Sequence, residues 1–247
     1  MTTPAVSVQE PSDNRAQPVH DKTRSSLLRW LELSLVLSVA FAQYFLSSLY
    51  SALGGIQHGA YSSNHLVLAH ILIELNALAV LWYVLFRQQK NWLALGCSLR
   101  ALDGLRAIAL LVGGSFLGYI IYASGQALHY AAFGEYLSPK DVYALLGMRL
   151  SVLSFIFVCV NPFFEELIVR AYTMSEVLAL GGSRIAAVAV SVVLQLGYHL
   201  YQGAANVLML SGTFLVFSIY FARTRKIMPV ILAHLFIDMI ALFRMPY

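Results

Sequence analysis

Three groups of ionisable residues interrupt apolar stretches in the carboxyl-terminal half of this sequence. The first is Asn161-Pro162-Phe163-Phe164-Glu165-Glu166-Leu167-Ile168-Val169-Arg170, the second is Gly197-Tyr198-His199-Leu200, and the third is Ala233-His234-Leu235-Phe236-Ile237-Asp238. Ionisable side chains are costly in hydrocarbon, so each group marks a candidate functional position. Successive residues of an α-helix stand about 100° apart, so Glu165 and Glu166 cannot point at one spot. Glu166 and Arg170 lie at i,i+4 and can pair on one face, which lets both stay ionised in a low dielectric. Glu165 is then the carboxylate without a cation, which suits it to act as a general base. His234 and Asp238 are also at i,i+4, and His199 comes from another helix. A carboxylate and two imidazoles can hold and activate a water and stabilise the oxyanion of a cleaved amide.

Taken singly, a buried His or Glu is most often a satisfied structural group. His70 and Glu74, another i,i+4 pair, are read that way. Six such residues on three helices are a different matter, because perturbable groups gather at functional sites.

The elements that must position them are membrane spans. Hydrophobic residues make up 59% of the 247 residues and charged ones only 11%, against about 25% charged in soluble domains. So apolar a chain cannot dress a surface for water. A spanning helix needs roughly 20 mostly apolar residues, and the apolar stretches run over 27–50, 66–86, 105–125, 142–160, 162–180, 184–200, 204–222 and 227–243. The fold class expected is all-α, a polytopic transmembrane bundle of about eight helices. Residues 1–26, polar and carrying Pro4, Pro11 and Pro18, read as a disordered cytoplasmic tail, and residues 27–247 as the transmembrane domain. Gly54, Gly55 and Gly59 mark an outer turn, and the segment 88–104 with Trp92 reads as interfacial. Gly114 and Gly118 give a GxxxG spacing that predicts close helix packing. Cys97 and Cys159 show no CxxC spacing and read as free thiols. The net charge of +4 comes with no basic run that would suggest nucleic acid.

The pattern EExxxR, a single His, then HxxxD, resembles the three motifs of the CPBP family of intramembrane proteases. That family includes the Ras-converting type of CAAX prenyl endopeptidase and bacterial proteins linked to bacteriocin processing or immunity. The resemblance covers roughly residues 150–243 and puts a protease-like core at 142–243. It implies Glu165 as the water-activating carboxylate, Glu166 and Arg170 as its structural partners, and His199 as a second water-activating residue. His234 and Asp238 are then the pair that stabilises the oxyanion. Two positions depart from the family pattern. Gln195 stands where Phe is usual four residues before the second-motif His, and Val169-Arg170-Ala171 replaces Phe-Arg-Gly. No HExxH, Gly-x-Ser-Gly or Gly-x-Gly-Asp occurs, which sets aside the zinc, rhomboid-like and aspartyl intramembrane classes.

Basic residues before the first span and around 87–106 favour a cytoplasmic amino terminus. Asn161 and Pro162 read as an N-cap and first helical position, so 142–160 and 162–180 are expected as separate spans. Eight crossings follow, with the candidate site facing the cytoplasm and Arg223, Arg225 and Lys226 outside, against the charge rule. The function expected is an intramembrane endopeptidase that cleaves a peptide near the membrane surface with a glutamate- and histidine-activated water. The alternative is a non-proteolytic binding or bacteriocin-immunity protein of the same fold, motivated by Gln195 and Val169. A proton-coupled transporter is disfavoured by the lack of internal repeats. Two histidines and a carboxylate match zinc ligand types, so a divalent metal and a metal-free water both remain open. The expected partners are a peptide or protein substrate and the lipid bilayer, with no nucleic acid. The expected location is the cytoplasmic membrane of a bacterium.

Overall fold

The computed structural model describes residues 19–53, 64–140 and 149–244. Among these the fold is entirely helical. The helices are α1 (Val19–Ala52), α2 (Asn64–Arg87), α3 (Asp103–Phe133), α4 (Val152–Glu165), α5 (Thr173–Ala179), α6 (Arg184–His199), α7 (Ala204–Thr224) and α8 (Met228–Phe243). A π-helical segment, Glu166–Tyr172, joins α4 to α5 without a break. Among the described residues, six helical stretches are long and apolar enough to cross a membrane: Ser25–Ser51, His65–Arg87, Asp103–Phe133, Val152–Ala179, Arg184–Gln202 and Ala204–Thr224; Met228–Phe243 is a shorter apolar helix. The chain is thus an integral, multi-pass membrane protein. Of the expected tail, residues 1–18 lie outside the described residues and 19–26 open α1. The expected turn at Gly54, Gly55 and Gly59 also lies outside them.

The expectation of separate spans at 142–160 and 162–180, and with it eight crossings, is corrected. Val152–Ala179 is one span, and 141–148 lies outside the described residues. Asn161 does not cap a helix. Its side chain is turned to two carboxylates, Glu74 and Glu165. Pro162 lies inside α4, where it removes one helical hydrogen bond but meets no polar turn at which the helix could end. The whole run 164–174 is buried. That fits a helix at the centre of the bundle, enclosed on all sides, and half of this span's apolar window is buried, the largest share of the six.

The other helices pack around this one. α2 and α8 flank α4, while α1 lies against α2 and α6. α3 lies along α7 and α8. The GxxxG spacing fulfils its expected role there: a side chain on Gly118 would collide with the Met209 carbonyl, and one on Gly114 would crowd Thr213. Many large apolar side chains elsewhere, among them Leu46, Phe116, Leu128 and Ile185, face outward, as lipid contact requires.

Polar groups collect at one end of the bundle. Arg29 and Lys90 reach the buried Glu176 at 3.7 and 3.0 Å, and Arg87 reaches Glu32 at 3.4 Å. Arg225 Nη2 donates to Ser175 Oγ at 2.6 Å. The Ile227 N–H donates to the Gly96 carbonyl. Short 3-10 turns punctuate both ends, Trp92–Leu95 at this end and Leu200–Gln202 at the other.

Candidate active site

Glu165 and His199 lie 17 residues on either side of Gly182 in the chain. The Val152–Ala179 span and α6 form a hairpin about that glycine. At a rise of 1.5 Å per residue the two side chains therefore arrive at similar depth, so the single span does not separate them. A cavity of about 190 Å³ receives both, together with His234 and Asp238. At about 30 Å³ per water in the liquid, that volume accommodates several waters or part of a peptide chain.

Glu165 is 7% exposed and has no cation within ion-pair distance among the described residues. Two neutral donors hold it instead. Tyr198 Oη donates to Oε2 at 2.7 Å and Asn161 Nδ2 to Oε1 at 3.3 Å. Asn161 Nδ2 also donates to Glu74 Oε1 at 2.9 Å, so Asn161 bridges the two carboxylates. Phe41 stacks on the Tyr198 ring with centroids 4.6 Å apart, which fixes the hydroxyl that Glu165 accepts from.

Glu166 is fully buried and is divided between two partners. Arg170 Nη1 donates to Oε2, and His234 Nδ1 lies 2.7 Å from Oε1. Arg170 Nη2 donates to Gln195 Oε1, and the guanidinium lies over the rings of Phe217 and Phe214 at 5.2 and 5.8 Å. Gln195, which departs from the family pattern, thus has a definite task as an acceptor for the buried cation. The π-helical segment spans Glu166, Arg170 and the residues between, and such segments often accompany functional sites. Thr173 Oγ1 donates to the Ile168 carbonyl at 2.8 Å within it.

His199 Nδ1 lies 2.8 Å from the Gln195 carbonyl. A carbonyl can only accept, so Nδ1 carries the proton and Nε2 presents a lone pair. The ring packs between Tyr198 and Phe214, at 4.5 and 5.0 Å between centroids. His234 has a carboxylate near each nitrogen: Glu166 at Nδ1, and Asp238 Oδ1 at 3.6 Å from Nε2. The side chains of His234 and Asp238 are 13% and 22% exposed.

The structure therefore brings Glu165, His199, His234 and Asp238 to one cavity, while Glu166 and Arg170 lie behind it and brace it. It also adds residues to which the sequence assigns no part in the chemistry. His70 lines the cavity, and Glu74 joins Glu165 through Asn161, although the pair reads in sequence as merely structural. The i,i+4 spacing of His70 and Glu74 is the available signal. Tyr198 gives none beyond its place next to His199. Among the described residues no three His, Cys, Asp or Glu side chains are grouped so as to hold a metal ion.

Residues 148–240 match the model of a family described as Type II CAAX prenyl endopeptidase Rce1-like. No curated protein and no solved structure matches the chain. The matched stretch runs from the residues before α4 into α8 and contains all three motifs. Residues 148–240 of this membrane protein are thus similar to the Rce1-like type II CAAX prenyl endopeptidases, a likeness that supports a place among the CPBP membrane proteases.

Proposed function

We propose that the chain is an intramembrane endopeptidase whose protease-like core spans 142–243 and whose nucleophile is a water held by Glu165 and His199. The observation that carries this reading is the convergence of Glu165, His199, His234 and Asp238 on one cavity inside an apolar bundle. Glu165, oriented by Tyr198 and Asn161, takes a proton from the water. The lone pair on His199 Nε2 accepts the water's other hydrogen and aims its oxygen. The water oxygen bonds to the carbonyl carbon of the substrate, and charge moves to the carbonyl oxygen. His234, with a proton on each nitrogen and Glu166 holding Nδ1, offers Nε2–H to that oxyanion, and Asp238 fixes the ring. Collapse breaks the C–N bond, and the proton held by Glu165 passes to the leaving nitrogen. Glu166 and Arg170 are positioning residues, since neither needs to touch substrate.

The substrate is a peptide or protein at the membrane, and the membrane is the cytoplasmic membrane of a bacterium. The test is peptide cleavage by purified protein in proteoliposomes, with Glu165→Ala, His199→Ala and stringent chelation as separate arms. Loss of cleavage in both variants with retention after chelation supports the water mechanism. Equal cleavage by wild type and Glu165→Ala removes Glu165 from catalysis. A cellular phenotype that survives Glu165→Ala and His199→Ala together favours a binding or immunity role, the reading that Gln195 and Val169 motivate.

A further inference from the structure

The basic residues and the cavity lie at opposite ends of the bundle. Among the described residues, eleven Lys or Arg flank the helices at one end: Lys22, Arg24 and Arg29 on α1; Arg87, Lys90, Arg100 and Arg106 around the α2–α3 connection; Arg184 at the start of α6; and Arg223, Arg225 and Lys226 between α7 and α8. Only Lys140, Arg149 and Arg244 lie toward the other end. Short connections rich in Lys and Arg stay in the cytoplasm, and eleven against three is a strong bias. The single Val152–Ala179 span sets this segregation, because it returns Arg223, Arg225 and Lys226 to the same end as Arg87 and Lys90. Contacts confirm that these segments meet: Lys90 and Arg29 share Glu176, and Ile227 bonds to Gly96.

The cavity is lined from the opposite direction. Tyr44 lies late in α1, His70 early in α2, Phe157 early in α4, Gln202 just beyond α6, and Ala241 late in α8. All of these stand beyond Glu165 on the side away from the basic end. Nothing between Glu166 and Ala179 lines it. Next to the cavity, Lys140 Nζ donates to the carbonyl of the lining residue Tyr201 at 3.4 Å and to Ser51 Oγ at 3.3 Å. This ties the segment after α3 to the cavity end.

We infer that the catalytic cavity opens at the extracytoplasmic face and takes its substrate from there, as an exported or membrane-anchored polypeptide segment. This inference rests on the endopeptidase reading for its substrate but not for its orientation. It excludes a cytoplasmic prenylated carboxyl terminus as the natural substrate, since such a chain end would lie across the membrane from the cavity mouth.

Two single-cysteine reporters test orientation without relying on activity. Cys97, whose thiol burial pushes up to about 11, and Cys159 are first replaced by serine. Ser138→Cys then marks the cavity end and Thr224→Cys the basic end, both at exposed positions. In intact bacterial cells a membrane-impermeant maleimide is expected to label Ser138→Cys at least tenfold more than Thr224→Cys, and permeabilisation should equalise them. The reverse pattern overturns the inference and leaves the hydrolase reading untouched. A third arm adds a cleavable peptide to sealed right-side-out and inside-out vesicles. Cleavage confined to right-side-out vesicles supports the inference; Glu165-dependent cleavage confined to inside-out vesicles overturns it. If labelling follows the expected pattern while neither vesicle type cleaves any peptide in a Glu165-dependent way, the endopeptidase reading falls, and with it the inferred substrate.

Discussion

Glu165 and Glu176 are eleven residues apart in one continuous span, both are buried, and their surroundings differ completely. Glu176, near the basic end, faces two cations, Lys90 at 3.0 Å and Arg29 at 3.7 Å. Both are about a third exposed and keep part of their hydration. Glu165 faces a phenol and an amide, with two imidazoles across a cavity. A carboxylate matched by cations serves structure, because taking up a proton means breaking the pair. A carboxylate oriented by neutral donors is held in place with its basicity available. Glu166 shows the first arrangement inside the site itself. Arg170 and His234 lock it, which makes it a strut next to the carboxylate proposed as the base.

The most direct way to break this comparison is to remove both charges in turn. Glu165→Gln keeps the shape, and its amide oxygen can still accept from Tyr198, but its NH2 then faces the Asn161 NH2 and the base is lost. Cleavage in proteoliposomes should fall by roughly 10²–10⁴-fold, the usual worth of a general base, with little change in resistance to unfolding in detergent. If stability drops instead and residual activity per folded molecule is normal, the two glutamates are alike and the comparison fails. Arg170→Met comes next and inverts the profile. Removing the buried guanidinium leaves Glu166 with His234 as its remaining partner and half of its pairing lost, at a cost of up to about 3–5 kcal/mol. The double variant Arg170→Met with Glu166→Gln should recover much of that loss, because the orphaned charge goes with its partner. Unfolding titrations of the single and double variants give the coupling.

Much of this division is legible in the spacing of residues alone. Two adjacent carboxylates on a helix point apart, and only Glu166 has an arginine at i+4, so the separate surroundings of the two glutamates follow, and with them the roles proposed above. His234 and Asp238 share a face for the same reason. The span count fails at Asn161-Pro162, where the local rule for a helix start loses to tertiary context: Asn161 is drawn to Glu74 and Glu165. No local pattern can show that, because Glu74 is 87 residues away in the chain. The same blindness hides Tyr198, whose contact with Glu165 depends on the hairpin about Gly182. The depth match is readable in principle, since a hairpin's register needs only the turn, but dividing the span obscures it. The basic-end segregation shows the reverse case. Arg223, Arg225 and Lys226 contradict eight crossings by their charge alone, and that pattern is the better guide.

Smaller effects sharpen the contrast. Tyr198→Phe removes one donor from Glu165 and leaves the ring stack with Phe41 intact. A hydrogen bond to a charged group is worth about 1.5–3 kcal/mol, so kcat should fall by roughly tenfold or somewhat more. KM should stay nearly constant, since Tyr198 orients the base and does not carry the substrate. A loss confined to KM would move Tyr198 from the base to the binding surface.

The smallest effect belongs to Glu176→Gln. Its cations are about a third exposed and can be rehydrated when the carboxylate is neutralised. The amide can still accept from Lys90 in place of Oε1, which Lys90 Nζ now reaches at 3.0 Å. Oε2 has no hydrogen-bond partner to lose. What disappears is mainly Coulombic and lies at the value of partly exposed pairs, about 1 kcal/mol or less. The expected result is wild-type cleavage and a small drop in stability that shrinks further in high salt, because screening already weakens the pair in the wild type. An activity loss comparable to that of Glu165→Gln would show that the basic end is coupled to the cavity, and the division between strut and base along this span would not hold.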